Sequence, residues 1–93
     1  MAIIYQTFNF AEAKYFVHIT KNPHAADLWV YPVSYLGGHR GDLIWFLTTN
    51  RDEATCLINL CDYGQANLRV YFVQSFADAC WKNKASQNRF RFG

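Results

Sequence analysis

The sequence predicts an all-β fold, a small single domain of short repeated strands wrapped around each other. Three observations lead there. First, a small residue followed by an apolar run of strand length recurs, with anchors at Ala13, Ala26, Gly41, Ala54, Ala66 and Ala79. Subtracting positions gives spacings of 13, 15, 13, 12 and 13 residues, and a fixed period governs architecture before any local preference does. Second, 52% of the residues are hydrophobic and 18% aromatic, a composition that suits pleated, buried surface and excludes disorder. Third, runs such as Leu28–Val33 and Leu43–Leu47 are apolar at both parities. Such strands need cover on both faces, so the chain must wrap upon itself in stacked sheets or intertwined ribbons.

Taken in order, the predicted strands are Ile3–Thr7, Tyr15–Thr20, Leu28–Val33, Leu43–Thr48, Cys56–Cys61 and Leu68–Val73. Each is rich in Val, Ile, Tyr, Phe, Trp or Thr and has the usual strand length. Pro32 lacks a backbone donor and marks an edge or bulge. Asp52–Leu60 is the one stretch that also reads as helix, but its apolar block is too short to favour that. Turn residues punctuate the copies at Lys21–His24, Leu36–Gly41, Asn50–Glu53 and Asp62–Gly64. The small anchors that follow are expected where two backbones pass closely.

With 93 residues the chain makes one domain with a thin core. Net charge is +2, too small an excess to imply a nucleic-acid partner. Neither a signal peptide nor a membrane span is legible. The three cysteines fit a reducing compartment, so the expectation is a cytoplasmic monomer without membrane contact. Residues 83–93 depart from the repeat and carry much of the positive charge. They are expected to form a basic, mobile tail after a domain at 1–82.

The phrases Ala26–Tyr31, Gly41–Phe46, Ala66–Val73 and Ala79–Trp81 resemble the septoil-knot domain. That family comprises short bacterial proteins of repeated E-A-D-L-x-V-Y-x-V phrases, a central G-D-x-x-W and a final A-G-W. The resemblance covers roughly residues 2–82. It implies a small β domain tied into a deep knot of seven crossings, although true knots are almost absent among proteins. It carries over no activity, cofactor or catalytic residue. Cys80 stands where the family has Gly, Arg69 fills a slot that is apolar in other copies, and copy four (Cys56, Asn59, Cys61) is the least faithful.

Chemistry-bearing residues are sparse. In a strand, Cys56 and Cys61 face opposite ways and lie about 16 Å apart at ~3.3 Å per residue, which rules out a mutual disulfide or shared zinc. Cys80 reads as packed or modestly exposed. His18 sits in a strand, His24 and His39 in loops, and no local signature pairs one with a thiol. Asp27, Asp42 and Asn67 follow their anchors directly, and the expected role is bonding to nearby amides in turns. Arg69, Tyr71, Lys82, Arg89, Phe90 and Arg91 mix aromatic and basic character, which makes single-stranded nucleic-acid binding the rival reading. A cysteine-based enzyme is a third. The leading expectation is a non-catalytic domain, with no catalytic, metal or cofactor residues and high kinetic and mechanical stability. Any protein partner would meet Gly37, Gly38, His39 and Arg40 or the tail residues Arg89, Phe90 and Arg91.

Overall fold

The computed structural model describes residues 2–34, 42–87 and 89–93. Among them are seven strands: β1 (Ala2–Gln6), β2 (Tyr15–Ile19), β3 (Leu28–Val33), β4 (Ile44–Thr48), β5 (Cys56–Leu60), β6 (Leu68–Phe72) and β7 (Cys80–Trp81). The first six match the sequence expectation to within a residue at each end. β7 belongs to the truncated last copy. The described residues contain no α-helix. Asp52–Leu60 divides into a 3₁₀ turn, Arg51–Glu53, and strand β5, because Ala54 between them is extended.

The strands run parallel in the order β4-β1-β5-β2-β6-β3, and a further β3–β4 pairing closes them into a six-stranded barrel. The wrapping expected from the sequence is thus a closed parallel barrel. β7 pairs antiparallel with Leu28 and Trp29. Pro32 lies where β3 still pairs with β4 but no longer with β6, whose pairing ends at Val30. That is the one-sided position a residue without an N–H requires.

Parallel neighbours ordinarily need a crossover of a dozen or more residues to bring the chain back to the starting end. Here a steep stagger removes the return journey. Gln6 at the end of β1 and Tyr15 at the start of β2 both pair with Ile58, one on each side of β5. Ile19 and Leu28 flank Val70 of β6 in the same way. Thr48 and Leu57 flank Tyr5 of β1, and Leu60 and Leu68 flank Val17 of β2. Each connector therefore steps sideways over a single strand, a distance of about 10 Å. β1, β2 and β3 make a first circuit with gaps, and β5 and β6 of the second circuit fill those gaps. Every such connector crosses a strand of the other circuit.

The crossings are pinned one residue after the anchors. Asn67 donates its N–H to the Phe16 carbonyl (2.8 Å), and its side-chain oxygen accepts the Phe16 N–H (3.1 Å). Asp27 grips Arg69 likewise, donating to its carbonyl at 2.8 Å and accepting its N–H at 2.9 Å. Thr55 does the same to Ile3, at 2.8 and 2.9 Å. Lys14 keeps only the backbone half, to the Leu57 carbonyl, since its ammonium cannot accept. Asp27 and Asn67 were expected to bond amides within their own turns. They do bond amides, but on the strand being crossed. The Thr7, Thr20 and Thr48 hydroxyls accept the N–H groups of Asn9, Asn22 and Asn50. Those three Asn side chains then accept from Ala11, His24 and Asp52. A Thr-x-Asn unit thus folds three of the connectors before the anchor arrives, whereas the one leading to Asn67 lacks it and Asp62 there makes no side-chain cap bond. The anchors themselves are less enclosed than expected: Ala26 is buried, while Ala13, Ala54, Ala66 and Ala79 are half-buried, the last three following their turns in extended conformation.

Ala2, Ile4, Val17, Leu28, Val30, Trp45, Cys56, Ile58, Leu68 and Val70 form the core inside the barrel. The opposite parity is covered by side chains from the connectors. Phe10 packs on Phe16, Tyr63 on His18, and Phe76 on Tyr31, with ring centroids 6.0, 5.7 and 6.4 Å apart. This explains strands that are apolar on both faces.

Segment 83–93 is not a free tail. Arg89 and Arg91 are exposed, but Phe90 and Phe92 between them are buried beneath the N-terminal ends of the strands. The alternation of basic and aromatic residues is that of an extended segment with one buried side.

Candidate functional site

The C-terminal ends of five strands surround an open apolar recess. Ile4 and Gln6 of β1, Ile19 of β2, Trp45, Leu47 and Thr48 of β4, Ile58 and Leu60 of β5, and Phe72 of β6 line a cavity of about 210 Å³. Gln6, Ile19, Leu47, Leu60 and Phe72 are the last inward-facing residues of their strands, and the described residues place no plug above them. Leu47 is 51% exposed and Leu60 39%, so two leucines of one recess are left to solvent. Gln6 and Thr49 add polar groups at the rim. The opposite end of the barrel is sealed by Phe92, whose ring lies 5.0 Å from Trp45 and 5.4 Å from Tyr15.

The sequence-derived candidates fall elsewhere. Gly37, Gly38, His39 and Arg40 lie outside the described residues. Of the tail trio, Arg89 and Arg91 are exposed, but Phe90 is only 5% exposed and serves the core, so the three do not form one partner surface. Phe90 was misplaced because the charge of its neighbours suggested solvent. Asp42 accepts the N–H groups of Phe92 and Gly93 at 3.3 and 3.2 Å. His18 Nδ1 lies 2.9 Å from the Cys61 carbonyl, and His24 is exposed on a turn. Among the described residues no three His, Cys, Asp or Glu side chains cluster to hold a metal. Two of the basic residues weighed for nucleic acid are already engaged by other side chains. Arg69 lies 4.4 Å over Tyr63 and 3.8 Å from Asp27, and Lys82 sits 3.8 Å over Trp29. The recess itself escaped sequence reasoning. Its only trace is that Ile19, Leu47, Leu60 and Phe72 all come one residue before, or at, a strand's end.

The thiols are separated as strand geometry requires, with Cys56 buried in the core and Cys61 half-buried on the other face. Burial pushes the Cys56 thiol up from 9.0 to about 11, against a smaller lowering by Lys14 and together with a smaller raising by Asp42. Burial, then Asp62, raises Cys61 as well. Two outcomes follow. At neutral pH an alkylating reagent should leave Cys56 unmodified in the native protein. At alkaline pH the unfolded chain releases the Cys56 proton from pH 9 upward while the folded chain holds it to about pH 11. Stability contributed by this thiol is therefore full below pH 9 and falls as pH rises, by about 2–3 kcal/mol. Urea melts of wild type and Cys56→Ala at pH 8 and 10.5 check this, since the loss should be smaller in the variant.

A parallel barrel wound twice by one chain, each circuit passing through the gaps of the other and fastened at every crossing, defines a class of tied β domain. The chain belongs to one such family: residues 1–82 match the 7(1) septoil knot domain. Searches of the curated proteins and of the solved structures gave no match.

Proposed function

We propose that the chain is a non-catalytic, kinetically stable interaction domain, acting as a cytoplasmic monomer, whose barrel mouth receives an apolar side chain from a protein partner. One observation carries this reading: a recess of about 210 Å³ in which Leu47 and Leu60 are left half in water. Cavities of this order hold a benzene ring or a short alkyl group. The polar side chains that catalysis would need are occupied in the frame, since Asp27, Thr55 and Asn67 fasten crossings and Asp42 holds backbone amides.

Titration of ¹⁵N-labelled protein with n-hexanol tests the reading. Saturable shifts confined to Ile4, Ile19, Leu47, Leu60 and Phe72 are expected, and Leu60→Asp should weaken them at least tenfold. Shifts scattered over the surface, or none at all, would remove the proposal.

A further inference from the structure

The sealed end of the barrel has the construction of a peptide-binding site, filled by the protein's own segment. Two features show it. The rings of Phe90 and Phe92 enter one aromatic box. Phe90 lies 5.0 Å from Tyr15 and 6.3 Å from Trp81, and Phe92 lies 5.0 Å from Trp45, 5.4 Å from Tyr15 and 6.4 Å from Trp81. Both are nearly fully buried, at 5% and 1% exposure.

The second feature is how the backbone between them is held. Tyr15 Oη accepts the Arg91 N–H at 2.9 Å, and Lys14 Nζ donates to the Arg91 carbonyl at 3.1 Å. Asp42 accepts the N–H groups of Phe92 and Gly93 through its two oxygens. Thr55 Oγ1 donates to the Phe92 carbonyl at 2.5 Å. Four side chains from three separate parts of the repeat thus converge on consecutive main-chain groups of one segment. The Arg91 side chain, by contrast, turns away and, among the described residues, bonds to the Gln87 and Phe90 carbonyls of its own segment. Main-chain bonds supply affinity without sequence preference, and pockets for alternate side chains supply specificity. Those two elements are both present here. The segment also lies beyond residues 1–82, the part that matches the family.

We propose that the barrel base is a recognition site for extended Phe-x-Phe peptides, occupied in this chain by residues 90–92. The middle position is unread. A second chain presenting Phe-x-Phe competes with the internal segment for the same box, and its apparent affinity is reduced by the fraction of time the site is occupied.

The test uses a fluorescein-labelled peptide of residues 86–93 and the full chain carrying Phe90→Ala and Phe92→Ala. Anisotropy should show saturable binding to this opened barrel, at least tenfold tighter than to wild type. A peptide with alanine at both Phe positions should bind at least tenfold more weakly. A peptide with Arg91→Ala should bind within about threefold of the parent, in line with tolerance at an outward position. Failure of a folded opened barrel to bind, or equal binding of the Phe-free peptide, overturns the proposal. So does equal binding to wild type. Should the double variant not fold, a chain with a protease site inserted between Lys82 and Phe90 is cut after folding. The labelled peptide must then replace the severed segment, and a vacated base that ignores the peptide overturns the proposal equally.

Discussion

Unfolding in concentrated guanidinium is expected to take hours to days, with an extrapolated rate in water at or below about 10⁻⁶ s⁻¹, the slow limit for small domains. The reason lies in how the barrel is wound. In most domains a strand leaves once its ladder bonds break. Here β5 lies between β1 and β2, and β6 between β2 and β3, while the connectors 7–14 and 20–27 pass over them. Breaking the ladder does not free either strand. An end of the chain has to be drawn back beneath connectors that Asp27, Thr55 and Asn67 still fasten. Persistence is then set by a barrier rather than by an equilibrium. Manual-mixing experiments that follow tryptophan fluorescence in 6 M guanidinium measure it directly. A single phase finished within seconds would sink the idea.

Threading can be separated from mere cohesion. A cut in the connector 20–27 leaves every strand pairing in place but abolishes the loop that must be unthreaded. The nicked protein should unfold faster by two or more orders of magnitude, while its denaturation midpoint moves modestly. Equal acceleration and destabilisation would mean that ordinary packing sets the rate. Refolding should be slow as well, since most pairings here are remote in sequence. Unfolding and refolding curves should therefore fail to superimpose over a day.

How far such behaviour could be read from the sequence depends on which physical signal each part leaves. Period and β-branched content fixed the strands, because both are local. Leu28–Val33 was legible to the residue and Cys56–Leu60 nearly so. Apolar residues at both parities correctly demanded a wrapped sheet. They did not say that the strands are parallel, because parallelism rests on the stagger between strands far apart in sequence. The crossing residues were half legible. Asp27 and Asn67 stood out by position, but their partners Arg69 and Phe16 sit on another circuit, and no local rule points across 42 or 51 residues. The barrel mouth left almost no trace, since Leu47 and Leu60 look like core in any strand-based reading. Phe90 and Phe92 were hidden by the charge around them, although their alternation with Arg89 and Arg91 was the clue to an extended segment with one buried side.

Trp45→Ala should be the most damaging single substitution in the equilibrium sense, costing about 3–5 kcal/mol. Trp45 is fully buried and sits at the seam that closes the barrel, paired with Ala2 on one side and Pro32 on the other. Its indole spans the interior. It touches Phe92 at the base, at 5.0 Å, and Phe72 toward the mouth, at 6.3 Å, and forms part of the mouth's wall. Its Nε1–H donates to the Asp42 carbonyl at 2.7 Å, fixing the turn that enters β4. Removing the ring opens a void that joins the mouth cavity, so collapse around it is hindered from both ends. For a domain of this size each kcal/mol is worth roughly 4–8 °C in Tm, and a typical reserve is only about 5–15 kcal/mol. Trp45→Phe retains most of the apolar contact and loses the N–H, so it should cost about 1–2 kcal/mol, near the value of one hydrogen bond with some lost packing. The equilibrium loss and the unfolding rate should also part company. Trp45→Ala weakens the seam but leaves intact the threading that sets the unfolding barrier, so its cost should appear in the equilibrium and the folding rate more than in the unfolding rate. Measured at equilibrium after incubation for days, a loss below about 1 kcal/mol would place the strength of the barrel away from this seam.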